Sequence, residues 1–297
     1  MVDIIVVNWN SGSLLKKCVD SVLQSNIDLY KIIIIDNASN DYSLDSIVES
    51  DKVKIIKSEI NLGFGKACNL ALRESTAKYV LLLNPDAYIS CDTLLKSELF
   101  MENNPEIGVM GCMQINEERI INRSCSRFPQ FKNVVFELFG FSKLFKNNFI
   151  NSLHMTEWDH KSSMFVDHVI GSYYFCRKEI FCNVGFFDEN YFLYYEDLDL
   201  SKRIREYGYK IYYNSDICIF HEGGGTSKRI LSKRIYYSTR SRLYYYKKHM
   251  TSLQYIILKS MVLLIELPIR VLNFIVHFKF IQSMKLFGFW IKLMVKN

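Results

Sequence analysis

The sequence predicts an α/β fold, with a mostly parallel sheet flanked by helices and an amphipathic helical tail at the C-terminus. Short apolar runs alternate with amphipathic stretches over residues 1–113, and buried parallel strands joined by helices have this pattern. The alternation weakens over residues 114–166 and returns over residues 167–220. A length of 297 residues allows one large domain or two of ordinary size.

The predicted strands of the N-terminal half are apolar runs, at residues 3–7, 32–35, 53–57 and 79–83. Predicted helices have apolar residues at helical spacing, at residues 13–25, 65–75 and 91–103. Ser13 is the expected N-cap of the first helix, and Pro105 ends the third. Residues 114–166 are expected to form loops and short elements over the sheet.

Regular structure is expected to resume after residue 167. The pattern predicts strands at residues 169–175, 210–213 and 217–220, and a helix at residues 196–207. Gly208 is a good C-terminal stop for that helix.

Composition excludes a disordered chain, because 49% of the residues are hydrophobic and 23% are charged. The formal charge of +6 divides unevenly. Residues 223–297 hold 14 Lys and Arg but one acid, Glu266, which gives +13, whereas residues 1–222 carry −7. A basic C-terminal region favours a nucleic-acid or an anionic-membrane surface.

The eight cysteines are scattered and none forms a C-x-x-C pair, so no zinc site is expected. Several lie in apolar runs and are expected to be small core residues in a reducing cytosol. Met1 leads directly into a strand-like run, without a basic region or a cleavage site, so a signal peptide is not expected.

Acidic and amide residues follow several of the apolar runs. Asp36 follows the second predicted strand, and Asn84-Pro85-Asp86 follows the fourth. In an open α/β sheet, ligands bind at the carboxyl ends of the strands. Carboxylates there, with a histidine such as His221 available, suit a divalent metal and an anionic, nucleotide-like ligand. This combination indicates an enzyme.

A series of motifs resembles the family 2 glycosyltransferases of the GT-A fold, especially their rhamnosyltransferase-like branch. The matching residues occur in the family's order, at Val7-Asn8-Trp9-Asn10, Asp36-Asn37-Ala38-Ser39, Asn61-Leu62-Gly63-Phe64-Gly65, Asn84-Pro85-Asp86, Gly171-Ser172, Gly185-Phe186-Phe187-Asp188-Glu189, Glu196-Asp197-Leu198-Asp199 and His221. Each motif alone is weak, but the ordered series is specific. The resemblance implies a GT-A-like (Rossmann-like) glycosyltransferase domain over residues 1–250, leaving residues 251–297 as a separate helical tail.

The resemblance also implies a nucleotide-sugar donor and a Mn²⁺ or Mg²⁺ ion. Asn84-Pro85-Asp86 resembles the family's D-x-D motif with its first Asp replaced by Asn, so Asp86 becomes a metal ligand and His221 a second one. A turn role for Asp86 and a structural role for His221 are the alternatives. The predicted donor-binding residues are Asn8, Asp36, Asn61, Gly63, Phe64, Asn84 and Asp86.

Transfer to a hydroxyl needs a general base. The family's base lies in the acidic motif, which makes Asp197 the first candidate, with Glu196 as a second catalytic residue and Asp199 as a rival. Acids at a helix N-terminus are also favourable without catalysis. Attack opposite the leaving diphosphate would invert the anomeric centre.

The sequence of the tail decides whether the basic region is expected to bind nucleic acid or an anionic membrane. The polar residues of residues 251–278 are spaced 7, 4, 3 and 4 apart and share one narrow helical face, at Lys259, Glu266, Arg270, Asn273 and His277. Pro268 is expected to kink this helix, and a second amphipathic helix carries Lys285, Lys292 and Lys296. Uncharged apolar runs fall short of the ~18 residues of a spanning helix. The pattern predicts helices lying on an anionic membrane; packing on the body or a homo-oligomer interface is the alternative.

The sequence therefore predicts an inverting, metal-dependent glycosyltransferase at the cytoplasmic face of the plasma membrane, held there peripherally. By resemblance the donor is dTDP-L-rhamnose, with UDP-hexoses next, and the acceptor is a lipid-linked surface polysaccharide intermediate. A catalytically inactive scaffold is the main alternative. A nucleotidyltransferase would need a basic glycine-rich loop where Asn8-Trp9-Asn10 stands. A nucleic-acid-binding module would leave the apolar tail unexplained, so no nucleic-acid partner is expected.

Overall fold

The protein is described by a computed structural model over residues 1–27, 30–138, 153–223 and 231–295. Its chain forms two compact units. The first unit comprises Met1–Phe128, Trp158–Phe192 and Glu196–Thr226, and the second comprises Pro129–Glu157, Leu193–Tyr195 and Ser227–Asn297. The predicted boundary at residue 250 stays a prediction.

The first unit is a sheet with helices on its faces. Its strands are β1 (Val2–Asn8), β2 (Tyr30–Asp36), β3 (Val53–Lys57), β4 (Tyr79–Leu83), β5 (Ala87–Tyr88), β6 (Ile107–Ile115), β7 (Ile121–Asn122), β8 (Cys125–Ser126), β9 (Met164–Val166), β10 (His168–Val169), β11 (Tyr173–Arg177) and β12 (Lys210–His221). Its helices are α1 (Leu14–Leu23), α2 (Phe64–Glu74), α3 (Thr93–Asn103), α5 (Ile180–Asn183) and α6 (Glu196–Tyr207). Helix α4 (Phe131–Leu138) belongs to the second unit.

The strand order is β3-β2-β1-β4-β11-β6-β12-β5. Strands β1, β2, β3 and β4 pair in parallel, and so do β6 and β12, while β11 runs antiparallel between β4 and β6. The predicted α/β fold with a mostly parallel sheet is confirmed. Parallel pairing of β1 with β2 sets Asn8 opposite Asp36, which brings two predicted site residues together at one edge.

The core explains why the strands are apolar throughout. Val2, Ile4 and Val6 of β1 share one cluster with residues of α1 and α3. The intervening Ile5 is also buried, because alternate side chains of a strand face opposite sides of the sheet. Helix α2 contacts β1 and β2. With both faces covered, these strands show continuous apolar runs rather than alternation.

Three local predictions differ from the structure. The strands expected at residues 210–213 and 217–220 form one strand, β12, with a register shift between Asn214 and Cys218. Strand β11 begins at Tyr173 rather than residue 169, because Gly171 donates its N–H to a side chain instead of a neighbouring strand. Ser13 is the N-cap residue of α1, as predicted, but its side chain makes no capping hydrogen bond.

The helices of the second unit that follow residue 230 are α7 (Leu231–His249), α8 (Ser252–Met261), α9 (Leu267–Val276) and α10 (Phe280–Val295). Thr251 and Gln254 form a capping box at the start of α8. A π-helical segment, Val262–Glu266, joins α8 to α9, just before Pro268, where a missing N–H interrupts the regular ladder. Lys296 lies outside the described residues. Among the described helices, none is long and apolar enough to cross a membrane.

A glycine turn sets the start of α2 beside the strand ends. The Asn37 side chain accepts the N–H of Leu62 at 2.7 Å and donates to the Gly63 carbonyl at 3.2 Å. Gly63 has φ +83°, and the next residue, Phe64, donates its N–H to the Phe192 carbonyl at 3.0 Å. A Cβ at Gly63 would lie 2.1 Å from that same carbonyl oxygen. Only glycine fits this position.

Replacing Gly63 with alanine should therefore destabilise the protein. We expect Gly63→Ala to lower the free energy of unfolding by about 2–5 kcal/mol, from backbone strain plus the clash with Phe192. Gly12→Ala is the matched control, because Gly12 also has positive φ (+57°) but its Cβ would meet only Tyr42 Oη at 3.4 Å. It should cost about 1–2 kcal/mol. Urea unfolding measures both, and equal losses would contradict the close-approach argument.

Candidate functional site

The predicted site residues come from the carboxyl ends of the parallel strands. Asn8 ends β1, Asp36 ends β2 and Asn84 follows β4. His221 closes β12 and pairs with Ala87 of β5, the residue after Asp86. Strand pairing thus collects side chains that lie far apart in the sequence, at the edge where open α/β sheets bind ligands.

Asn8 is a supporting residue rather than a surface one. It is fully buried, and its side-chain amide donates to Asp36 Oδ1 at 2.8 Å and to Ser43 Oγ at 2.8 Å. The Ser11 hydroxyl donates to the Asn8 side-chain carbonyl. This network fixes the orientation of the Asp36 carboxylate. Asn8 therefore contributes to a ligand site through Asp36.

The Asn61-to-Gly65 loop lies against the same carboxyl ends. Asn61 Oδ1 accepts the Gly63 N–H at 2.9 Å and the Asn37 amide at 3.1 Å. The Phe64 ring packs edge-on to Phe187, with centroids 6.3 Å apart. These hydrogen bonds fix the predicted donor loop before any ligand arrives.

Asp86 and His221 form one pair. His221 Nε2 lies 3.3 Å from Asp86 Oδ1, and the two side chains are 12% (Asp86) and 8% (His221) exposed. His221 Nδ1 contacts Gln114 Oε1 at 2.8 Å, and the Ser172 hydroxyl donates to the same oxygen at 2.9 Å. Because an amide oxygen can only accept, Nδ1 carries the ring proton of a neutral His221. Its Nε2 lone pair then faces the Asp86 carboxylate.

This arrangement suits a cation. Two electron-rich atoms face each other at 3.3 Å, and buried His221 Nε2 makes no hydrogen bond within the described residues. A buried acceptor without a donor is unfavourable unless a proton or a metal lies between the atoms. Gln114 orients the imidazole as a carboxamide or carboxylate partner does at metal sites. The described residues contain no group of three or more His, Cys, Asp or Glu side chains that could hold a metal, so Asp86 and His221 are two candidate ligands rather than a complete site.

Asp197 is fixed at the start of α6. Its Oδ2 accepts the Gly171 N–H at 2.9 Å, and its Oδ1 accepts the Leu198 N–H at 2.9 Å. The side chain is 17% exposed. A Cβ added at Gly171 would lie 3.3 Å from the Phe64 ring and 3.5 Å from Asp197 Oδ2. The donor loop and the acidic motif therefore meet at Gly171.

The two neighbouring acids have different environments. Glu196 is buried, and burial together with the charge of Asp197 raises its pKa well above the usual range. Asp199 is fully buried and accepts from Arg203 Nε at 2.9 Å. Arg203 also donates to the carbonyls of Val184 and Phe186. Asp199 thus holds a loop in place, which leaves Asp197 as the accessible carboxylate of the three.

Two buried residues of the site were missed by the sequence analysis. Gln114 lies at the end of β6, 107 positions before His221. His168 lies in β10, with Nε2 3.7 Å from Asp197 Oδ2. Neither belongs to a recognisable motif. Gln114 follows an apolar run but is itself followed by Ile115, and His168 stands between Asp167 and Val169, so neither shows the clear polar end of a strand that pointed to Asp36 and Asp86.

Comparison with known proteins places this geometry in a family. The family model Glycosyl transferase family 2 matches residues 3–169, more than half of the chain. The chain is 26% identical to Rhamnosyltransferase WbbL of Escherichia coli K12 over 254 residues, covering 82% of this chain and 92% of that protein. It is 26% identical to dTDP-rhamnosyl transferase RfbF of Shigella flexneri over 219 residues, covering 72% and 67%.

A third relative and two solved structures agree. The N-acetylglucosaminyl-diphospho-decaprenol L-rhamnosyltransferase of Mycobacterium tuberculosis is 23% identical, with 76% of this chain and 77% of that protein covered. The structure of GalNAc-T7 with UDP, GalNAc and Mn²⁺ superposes with a TM-score of 0.56, at 17% sequence identity, over 83% of this chain. The structure of S. aureus TarS superposes with a TM-score of 0.51, at 17% sequence identity, over 79% of this chain. The chain covers 49% and 39% of those structures. From the family match over residues 3–169, the chain belongs to glycosyl transferase family 2 and is a glycosyltransferase with a GT-A-like fold.

Proposed function

We propose that this glycosyltransferase is inverting and metal-dependent, and moves L-rhamnose from dTDP-L-rhamnose to a hydroxyl of a lipid-linked surface polysaccharide intermediate. One observation carries the proposal. The consecutive residues Gly171 and Ser172 hold the proposed base and a proposed metal ligand, since the Gly171 N–H binds Asp197 and the Ser172 hydroxyl binds the Gln114 amide that orients His221. A metal-assisted transfer needs the metal ligands and the general base at fixed positions relative to each other.

The donor assignment is supported by the relatives. The name of the Shigella protein gives dTDP-rhamnose as its donor class, and the Escherichia and Mycobacterium names both specify rhamnosyl transfer. UDP-hexoses are the second choice, and the GalNAc-T7 structure contains UDP. Buried Asp36, held by Asn8, is the proposed acceptor for a donor hydroxyl or base N–H group.

His221 and Asp86 are the residues that would hold Mn²⁺ or Mg²⁺. A bound divalent ion would neutralise the charge of the donor diphosphate and stabilise it as a leaving group. Asn84 stands where the D-x-D motif has its first carboxylate. His221 would therefore supply a metal ligand that this carboxylate does not. Gln114 fixes the ring so that Nε2, not Nδ1, faces Asp86, which is the orientation in which both residues could bind one ion.

Asp197 is the proposed base. Its hydrogen bonds to Gly171 and Leu198 fix the carboxylate and leave a lone pair on Oδ1 open. In the transfer, the acceptor oxygen forms a bond to the anomeric carbon as that carbon's bond to the diphosphate breaks. The hydroxyl proton goes to Asp197, and the nucleoside diphosphate leaves with the bonding electrons. Attack from the opposite face inverts the centre.

The acceptor and the place of reaction are proposed together. The Mycobacterium relative is named for a decaprenol-linked substrate, and such a substrate stays in a membrane. We therefore place the enzyme peripherally at the cytoplasmic face of the plasma membrane. The surface that would hold it there is identified in the next subsection.

Donor binding should depend on the metal and on Asp86. In titration calorimetry with dTDP-, UDP- and GDP-sugars, we expect one nucleotide class to bind, and to bind more tightly with Mn²⁺ or Mg²⁺. Asp86→Asn should weaken the metal-dependent binding at least tenfold, about 1.4 kcal/mol. Asp92→Asn, which removes an exposed carboxylate paired with Lys96, is the control and should bind normally. If a folded sample binds none of these sugars, the donor site is refuted and the inactive-scaffold alternative leads.

Two variants test whether Asp197 or Glu196 is the general base. Asp197→Asn keeps the oxygen that accepts from Gly171 but cannot take a proton, so kcat should fall by about 10²–10⁴-fold with donor Kd unchanged. Glu196→Gln mimics a protonated, buried acid and should change kcat less than tenfold, on the order of 1 kcal/mol. Measured rates that fall equally in both variants, or only in Glu196→Gln, would move the base to Glu196.

A further inference from the structure

The second unit exposes apolar stripes along its C-terminal helices. The outward side chains recur at helical spacing, at Leu253, Ile256, Leu264, Ile269, Leu272 and Val276 along α8, the π segment and α9, and at Phe280, Met284, Phe287, Ile291 and Val295 along α10. They are between 46% and 77% exposed. Soluble helices carry polar residues at such positions, and exposed apolar patches of this kind mark interaction sites.

The same helices turn polar groups inward. Glu266 is 12% exposed, and its carboxylate binds Arg242 of α7 at 2.5 Å and Arg270 at 2.9 Å. The Ser283 hydroxyl of α10 donates to the Val271 carbonyl at 3.3 Å. The sequence predicted that Glu266 shares one polar helical face with Lys259 and Arg270, and in the structure it is paired with Arg242 of α7 as well as with Arg270. The other buried positions of these helices are apolar, as at Leu258, Leu267 and Leu286, so apolar side chains cover the inner and the outer faces alike.

The charge of this region identifies the partner. Residues 223–297 hold 14 basic residues and one acid, and that acid is already paired with two arginines. Lys279, Lys285 and Lys292 are exposed between the apolar stripes. The three helices α8, α9 and α10 themselves, residues 252–295, hold five basic residues and one acid, a net charge of +4, so pairing two copies through them would bring like charges together. Nucleic acid carries negative charge but has no apolar interior into which the exposed apolar side chains could insert. An anionic bilayer has both a negatively charged surface and an apolar interior.

We propose that α8, α9 and α10 form a docking surface for an anionic lipid bilayer, with the apolar stripes in the acyl boundary and the lysines at the head groups. The proposal deepens the proposed function, since a lipid-linked acceptor would be met at this surface. Its test reads binding rather than activity, so it can fail while the transferase assignment stands.

Flotation of the full-length protein with vesicles tests the surface. Vesicles of phosphatidylglycerol and phosphatidylethanolamine should bind the protein, pure phosphatidylcholine much less, and high salt should weaken binding. Val276→Glu should reduce binding about tenfold. Val48→Glu is the matched control, because Val48 is 80% exposed on the first unit and Val276 is 71% exposed, and it should leave binding unchanged.

Other outcomes would overturn the proposal. Absence of binding to anionic vesicles would do so, and so would equal loss in both variants. A dimer seen by sedimentation without vesicles, and abolished by Val276→Glu, would assign the stripes to a second copy of the chain.

A separate observation concerns the base. His168 is buried in β10, and its Nδ1 contacts Ser201 Oγ at 2.9 Å, while Ser201 Oγ contacts Tyr174 Oη at 3.1 Å. On the other side of the ring, Nε2 lies 3.7 Å from Asp197 Oδ2. Four side chains thus form one chain of polar contacts that ends at the proposed base.

The direction of the protons follows from the groups. The Asp197 carboxylate can only accept, so a neutral His168 carries its proton on Nε2 and accepts at Nδ1, and the Tyr174 phenol, whose pKa burial raises well above its usual range, donates to Ser201. Ser201 then donates to Nδ1, and Nε2 carries the proton that faces Asp197. Burial, opposed by the charges of Asp197 and Asp167, lowers the pKa of His168. A neutral histidine therefore presents an N–H to the carboxylate.

We infer that His168 is a positioning residue for the base, given the proposed role of Asp197. His168 Nε2 and the Gly171 N–H both lie on the Oδ2 side of the carboxylate, which orients Asp197 so that the second lone pair of Oδ1, beside the bond from Leu198, is open to the acceptor hydroxyl. Titratable groups near Asp197 and His168 are Glu196, Cys68, Tyr174 and Asp167. None of these four side chains has an N–H, which His168 offers on the Oδ2 side of Asp197.

Replacement of His168 should slow the reaction without weakening donor binding. We expect His168→Phe to lower kcat about tenfold or more, to leave donor Kd unchanged, and to move the acid limb of the pH–rate profile to higher pH, because the carboxylate loses a donor. His168→Gln, with an amide N–H, should restore most of kcat. His160→Phe is the control, since His160 is equally buried but stacks on Trp158, and its pH profile should not move.

The double variant separates the two proposals. If His168 acts through Asp197, His168→Phe should cost nothing further in Asp197→Asn. An unchanged kcat and pH profile in His168→Phe would overturn the positioning role. Full activity of Asp197→Asn would instead overturn the base itself.

Discussion

Two hydrogen bonds from adjacent residues hold the candidate site together. The Gly171 N–H reaches Asp197, and the Ser172 hydroxyl reaches Gln114 and through it His221. This turn leads into the antiparallel strand β11, which lies between β4 and β6. Because β4 leads to Asp86 and β6 ends near Gln114, the sheet order fixes where the turn can lie. The acid, the imidazole and the amide all take their positions from it.

Much of the site is built before a ligand arrives. The side-chain amide of Asn8 donates hydrogen bonds to Asp36 and Ser43 inside the protein and so orients Asp36. The side chains of Asn37 and Asn61 hydrogen-bond to the Gly63 backbone and so fix its turn. Side chains that are already ordered lose little conformational entropy on binding. The residues that face the ligand are few, and most of the motif residues serve to orient them.

The local features of the structure could be predicted from the sequence. Apolar runs and helical spacing located the strands and helices to within a few residues, and polar residues after the runs located Asp36 and Asp86. Contacts between distant residues leave no such pattern, which is why Gln114 and His168 were missed. Helical spacing also showed which tail residues share a face, but only packing against Arg242 determined that Glu266 faces inward. The unbroken strand β12 was missed because Asn214 interrupts its apolar pattern without ending the strand.

The position of β11 has a consequence for how the chain is made. Strands β1 to β4 form one half of the sheet, yet the edge of β4 finds its partner only at residues 173–177. As the nascent chain leaves the ribosome, that edge stays open until β11 has been synthesised, and an open edge readily pairs with another chain. Chaperone dependence and slow refolding are the expected properties of such a topology.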